Sequence, residues 1–184
     1  LLVNSVGDDQ CRPAYIDVLK DYFRPNVVST CPNCPRRLEE NPLRLLDCKE
    51  QSCQPVIANA PGSVDHLCGD CADHWDALLG HLNVSEIPFQ IDKRLVRGLD
   101  YYTRTVFEIV PSGEGRRSSI VGGGRYDGLI EELGGRPTPG IGFGMGIERV
   151  LNDIKGARVP VGERKGPTVI IAHLGDRAMQ EGLK

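Results

Sequence analysis

The sequence predicts an α+β fold: a mainly helical stretch over 11–83, then an antiparallel sheet with helices over 84–156. Three observations predict it. Tyr15, Val18, Leu19, Tyr22 and Phe23 recur at helical spacing behind Pro13, and Trp75, Leu78, Leu79 and Leu82 line one face of a second helix over about 70–82. Residues 103–110 alternate, with Thr103, Thr105, Phe107 and Ile109 on one side and Arg104, Val106, Glu108 and Val110 on the other, which is the period of a strand. Gly140 to Val150 reads Gly-Ile-Gly-Phe-Gly-Met-Gly-Ile-Glu-Arg-Val, so glycines and large apolar residues alternate with the same period.

The other elements follow in order. Residues 1–6 are the end of a strand, and 1–10 close a preceding segment. Pro25 stops the first helix. Residues 26–62 are rich in Pro, Cys, Asn and charge, with short helical turns expected around Arg36–Glu40 and Pro42–Asp47. Past the strand at 103, Pro111–Arg117 is a polar turn and Ser118–Val121 a second strand, a hairpin pattern. Asp127–Leu133 reads as a helix closed by Gly134-Gly135. The glycine strand leads into a helix over about 147–156. Residues 157–166 are a charged linker, Thr168–Ala172 a fresh strand, and Arg177 opens a helix. Residues 157–184 therefore begin another domain.

Apolar residues make up 40% of the 184, enough for a core. A net charge of −3 argues against a generic nucleic-acid coat but leaves room for a local basic patch. No stretch approaches the roughly 20 apolar residues of a membrane span. Seven cysteines, with two Cys-x-x-Cys pairs, do not suggest a secreted disulfide framework; a reducing cytoplasm, with thiols free or on a metal, fits better. The chain opens without Met and stops at Leu183-Lys184 in mid-pattern, so a piece of a longer protein is expected.

Alternating glycines strip one face of a strand to bare backbone, a floor on which a flat ligand can lie. Arg149, just behind, suits a base with phosphates because a guanidinium both stacks and neutralises. The plainer alternative is a strand packed tightly against a neighbour. Arg97 precedes a glycine, and Tyr101 and Tyr102 must point to opposite faces of a strand, one to the core and one to a cleft. Gly122-Gly-Gly-Arg-Tyr-Asp127 allows either close backbone approach or a flexible turn.

Arg-Gly-Leu-Asp-Tyr-Tyr at 97–102, Gly-Gly-Gly-Arg-Tyr-Asp at 122–127 and the glycine strand with Glu148-Arg149 follow one another in that order. In this the chain resembles the histidyl-tRNA synthetases, class II aminoacyl-tRNA synthetases. Leu-Leu-Val-Asn-Ser-Val-Gly at 1–7 and Asn41–Cys48 look like the same family. The resemblance implies part of a class II catalytic core, built on an antiparallel sheet, with a mainly helical insertion module at 11–83. It implies ATP-dependent activation of histidine to histidyl-adenylate and transfer to tRNA(His), with Mg2+ accompanying ATP. By position, Arg97 matches the catalytic arginine on the α-phosphate. Tyr102 and Tyr126, with Tyr101 beside them, match the histidine pocket, and Arg149, Gly144 and Gly146 match the motif 3 ATP site. The family's insertion clamps the tRNA acceptor stem, which makes Arg36, Arg37 and Arg44 candidate phosphate contacts. Motif 1, which builds the homodimer, and motif 2 would lie upstream of Leu1, so this stretch alone is expected to be inactive. Two other readings stay open: a regulatory, histidine-binding subunit of ATP phosphoribosyltransferase, and a non-catalytic module binding acceptor-stem RNA.

Cys31-Pro-Asn-Cys34 and Cys68-Gly-Asp-Cys71 each have the spacing of half a tetrahedral zinc site. The expectation is one structural Zn2+ on Cys31, Cys34, Cys68 and Cys71. Cys48 and Cys53 could replace one pair, and His66 and His74 are weaker alternatives. Cys11 is read as packed.

Overall fold

The computed structural model describes residues 1–111 and 119–160, with residues 162, 166, 172, 174, 175, 177, 178 and 181. The polar turn expected over 112–117, and most of the strand and helix expected from Thr168 onward, lie outside the described residues. The chain divides into two compact units, Leu1–Leu151 and Asn152–Lys184.

The first unit carries a five-stranded sheet: β1 (Leu2–Ser5), β2 (Gln90–Ile91), β3 (Thr103–Ile109), β4 (Val121–Arg125) and β5 (Ile141–Met145). Their order is β2-β1-β3-β4-β5, parallel between β1 and β2 and antiparallel elsewhere. The helices are α1 (Arg12–Phe23), α2 (Cys34–Glu40), α3 (Gln54–Ala58), α4 (Gly69–Val84), α5 (Leu129–Glu132) and α6 (Ile147–Gly156). Pro13 starts α1, where its missing N–H costs nothing. Tyr15, Leu19 and Phe23, four residues apart, are its buried stripe.

Two helical layers sandwich β1 and β3. Val106 packs with Tyr15, Leu19, Phe23, Leu45 and Leu46, whereas its neighbour Phe107 packs with Val3, Trp75 and Leu82. Adjacent strand residues point to opposite faces, so α1 covers one side and α4 the other. Leu19, Leu45 and Leu46 are fully buried, each worth about 1.5–3 kcal/mol relative to exposure. The helical stretch over 11–83 shares this core with the sheet rather than forming one of its own.

The fold departs from expectation in three places. The glycine triplet 122–124 is not a turn but the middle of β4, held by ladders to β3 and β5. The second hairpin strand, expected from Ser118, starts at Val121; Ser119 and Ile120 stand outside it, and Ser118 lies outside the described residues. β2, only two residues long, is too short to leave a periodic signal. A bulge between Thr103 and Val106 puts Arg104 at φ 53, a conformation non-glycine residues seldom adopt.

Candidate active site

The register of the sheet builds a bare patch. Gly122 pairs with Gly144 and Gly124 with Gly142, and directly opposed residues share a face. Glu108 and Val106 continue the same two rows on β3. Three named side chains lie on this patch. A Cβ on Gly122 would collide with the Arg97 guanidinium, one on Gly124 would sit 2.8 Å from Tyr102 Cδ1, and one on Gly142 would sit 2.6 Å from the Tyr126 hydroxyl. At Gly144 a Cβ would meet nothing within 4 Å. Arg97, Tyr102 and Tyr126 thus occupy three corners of a four-glycine square, and the fourth is open. Tyr101 joins from the side, its ring 4.7 Å from Tyr102 and 5.8 Å from Tyr126, so the two adjacent tyrosines pack together rather than dividing between core and cleft.

The loop carrying Arg97 is anchored at both ends. The buried Asn4 amide donates to the carbonyls of Leu95 (2.8 Å) and Lys93 (3.3 Å) and to Ser63 Oγ (3.1 Å). Arg12 donates to Tyr102 O (2.5 Å) and Gly7 O (2.9 Å), and Asn41 to the Asp100 carboxylate (2.6 Å). With its backbone fixed, Arg97 pairs with Glu108, and its Nε is buried without a hydrogen-bond partner among the described residues. A buried donor left unmatched costs about 1–3 kcal/mol unless a ligand supplies an acceptor.

Arg97 faces a cleft of about 290 Å³ shared with Glu108, Gly122, Gly144, Gly146 and Arg149. Arg149 stands in the first turn of α6, its Nη1 donating to Ser119 O at 2.7 Å. Two guanidiniums therefore flank the bare corner, an arrangement suited to an anionic group spread along the sheet. A second cleft of about 670 Å³, lined by Lys49, Gln54, Asp92 and Arg94 among others, also includes Arg97 and Glu108. Neither Glu108 nor Lys49 stood out in the sequence, because a lone charge on a strand or turn has no periodic signature.

The two readings of the glycine pattern divide by position. Gly123, pointing to the other face, would drive a Cβ into the Gly142 carbonyl and to within 2.8 Å of Phe143 Cα. Ala there should cost about 1–3 kcal/mol of stability, whereas Gly144→Ala should change it by less than about 0.5 kcal/mol. Denaturant midpoints of the two variants check this; equal losses would mean the glycines serve packing alone. The apolar residues between the glycines are not core: Ile141 is 70% exposed, Phe143 67% and Met145 51%.

Arg36 and Arg44 are exposed and Arg37 is half-buried. Arg36 pairs weakly with Glu40 at 3.9 Å, while Arg44 reaches toward Gly98, beside the Arg97 loop.

The thiols correct the expected metal set. Cys31 and Cys34 do not meet Cys68 and Cys71. They meet Cys48 and Cys53, with sulfurs 3.5 Å (Cys31–Cys34), 3.7 Å (Cys31–Cys48) and 3.7 Å (Cys34–Cys53) apart. The reason is the fold: Cys31–Cys34 opens α2, packed in the core with Leu45 and Leu46, whereas Cys68–Cys71 opens α4 on the other side of the sheet. A tetrahedral zinc with Zn–S bonds of about 2.3 Å sets sulfur–sulfur edges of about 3.8 Å, close to what these four thiols already show. The Cys31 amide also points at Cys53 Sγ, 3.2 Å away. Burial opposes the Cys31 thiolate, but the Asn33 amide and the three neighbouring thiols outweigh it and bring it down to about 7, while burial holds Cys34 and Cys48 up. Cys68, Cys71 and Cys11 lie instead with Asp8. His66 stacks on Tyr15, and His74 Nε2 lies 3.1 Å from Thr105 Oγ1, so neither joins a thiol cluster.

A family model described as histidyl-tRNA synthetase matches residues 43–150. The chain is 53% identical to the histidine–tRNA ligase of Symbiobacterium thermophilum over 99% of its own length and 43% of that protein, and 49% identical to that of Acetivibrio thermocellus over 97% and 43%. The structure superposes on that of apo S. aureus histidyl-tRNA synthetase with a TM-score of 0.65 at 32% identity, covering 99% of this chain and 44% of that one. The chain thus spans less than half the length of the relatives it matches. The matched stretch holds both signature segments, the four-glycine patch and the arginine that closes its cleft, and on these grounds the chain belongs to the histidyl-tRNA synthetase family.

Proposed function

We propose that this chain is the part of a histidine–tRNA ligase that holds the second half of the active site. The observation that carries the reading is the open corner at Gly144, framed by Arg97, Tyr102, Tyr126 and Arg149. Arg97, over Gly122, binds the α-phosphate and stabilises charge as the carboxylate of histidine attacks it and the α–β phosphoanhydride bond breaks, releasing pyrophosphate. The hydroxyls of Tyr102 and Tyr126, with Tyr101 packed beside them, face the imidazole, which can accept from one and donate to the other. Arg149 and the bare backbone at Gly144 and Gly146 take ATP, and Mg2+ arrives on its phosphates. Transfer of the histidyl group to tRNA(His) follows, with Arg36, Arg37 and Arg44 on the acceptor-stem phosphates. Cys31, Cys34, Cys48 and Cys53 hold a structural zinc, because four thiolates leave no position open for chemistry.

The uncovered stripe of Ile141, Phe143 and Met145 fits a chain that packs against the rest of a longer synthetase, itself a homodimer in the cytoplasm. No helix among the described residues is long and apolar enough to cross a membrane.

The test is histidine-dependent ATP–pyrophosphate exchange. The full-length synthetase should catalyse it, and the 184-residue chain alone, which spans 43% of the relative it matches, should not. Exchange by the isolated chain would overturn the division of the site, and none by the full-length protein would overturn the activity.

A further inference from the structure

Away from the cleft, a second group of metal-ligating side chains meets where α1 and α4 begin. We propose that Asp8, Cys11, Cys68 and Cys71 form a second tetrahedral zinc site, separate from the four-thiol site. Their ligand atoms all lie within 4.8 Å of one another. Asp8 Oδ1 is 3.5 Å from Cys11 Sγ and 3.8 Å from Cys68 Sγ, distances that small side-chain movements turn into the edges of a zinc tetrahedron. The four ligands come as two i, i+3 pairs, Asp8-Asp-Gln-Cys11 and Cys68-Gly-Asp-Cys71. The first pair thus repeats, with one oxygen, the spacing of the second.

The surroundings are those of a built site. Cys71 is fully buried and Cys11 nearly so, while Cys68 is partly open and gives an ion a way in. Gly7 adopts φ 67, and a Cβ there would sit 2.6 Å from Cys11 Sγ, so the chain leaves room for this sulfur by using glycine. The bulge in β3 turns Arg104 toward the cluster, its Nη2 3.4 Å from the outer oxygen of Asp8. Three thiolates and a carboxylate around Zn2+ carry a net charge of −2, and a guanidinium on the outer carboxylate oxygen offsets part of it. Such second-shell partners fix a ligating carboxylate. Binding expels the three thiol protons, and the oxidation state of sulfur does not change. Sulfur-rich tetrahedral sites of this size favour zinc over magnesium or calcium.

The site would tie the two helical layers together, since α1 packs with one face of the sheet and α4 with the other. It does not depend on the ligase activity or on metal at the four-thiol site.

The experiment is zinc counted by mass spectrometry in full-length protein purified without chelator. The double variant Cys68→Ser/Cys71→Ser should lose one zinc per chain, Cys31→Ser/Cys34→Ser another, and the fourfold variant two. Loss from the first variant with no change in the second would support this site and overturn the four-thiol one. An unchanged count in Cys68→Ser/Cys71→Ser overturns the proposal, as would a Cys68–Cys71 disulfide in protein kept reduced throughout. Should these variants fail to fold, X-ray absorption at the zinc edge of the wild-type protein decides. An oxygen in the first shell beside the sulfurs supports the site, and a first shell of sulfur alone contradicts it.

Discussion

Arg97→Ala in the full-length synthetase should lower the rate of histidyl-adenylate formation by about 10²–10³-fold, the usual effect of removing one preorganised donor to a developing charge. The loss should fall on kcat more than on KM for histidine, because the guanidinium lies over Gly122 rather than among the tyrosine rings. Removing the arginine also takes away a cation paired with Glu108, so part of any defect could be structural. Arg97→Ala/Glu108→Gln separates the two. If the double variant regains stability without regaining rate, the arginine acts on substrate. Arg36→Ala, on an exposed side chain paired weakly with Glu40, should leave pyrophosphate exchange unchanged. Pre-steady-state adenylate formation measures all three variants, and an Arg97→Ala rate within a factor of three of wild type would remove it from the reaction.

The second large effect is on stability. Zinc sites of the four-thiol kind contribute about 10–16 kcal/mol of apparent binding free energy, comparable with or larger than the entire net stability of about 5–15 kcal/mol of a domain. Cys34, 1% exposed, belongs to the same buried cluster as Leu38, Leu45 and Leu46, as do Cys48 and Cys53. Treatment with a strong chelator, or Cys34→Ser, should therefore loosen the helical layer around α2 and raise amide exchange over 31–58 far more than over β3 and β4. A thermal midpoint unmoved by chelator would contradict a metal at this site.

The sheet and both long helices could be read in the sequence because their periods are long enough to count. The alternation at 103–110 became β3, and the stripe of Tyr15, Leu19 and Phe23 became the buried face of α1. The glycine strand was legible in outline only. Its period gave a bare face, but which corner stays open depends on Arg97, Tyr102 and Tyr126 arriving from distant segments, and no local pattern encodes that. Its apolar side, Ile141, Phe143 and Met145, is exposed, which the period alone does not reveal. The cysteine pairing failed for a related reason. Spacing within a pair is local, but which pairs meet is decided by the side of the sheet on which each helix packs. Asp8 was missed because a lone aspartate carries no metal-ligand spacing of its own; in the structure its Oδ1 accepts from the Gln10 and Cys11 amides in the turn just ahead of α1.

The four-glycine patch is the proposed bed of the adenylate. A crystal structure of the full-length protein with a non-hydrolysable histidyl-adenylate analogue is the decisive check. The nucleotide is expected over Gly144, the phosphate within hydrogen-bond reach of Arg97, the base side toward Arg149, and the imidazole among Tyr101, Tyr102 and Tyr126. An analogue bound elsewhere, with Gly144 left open to solvent, would contradict it.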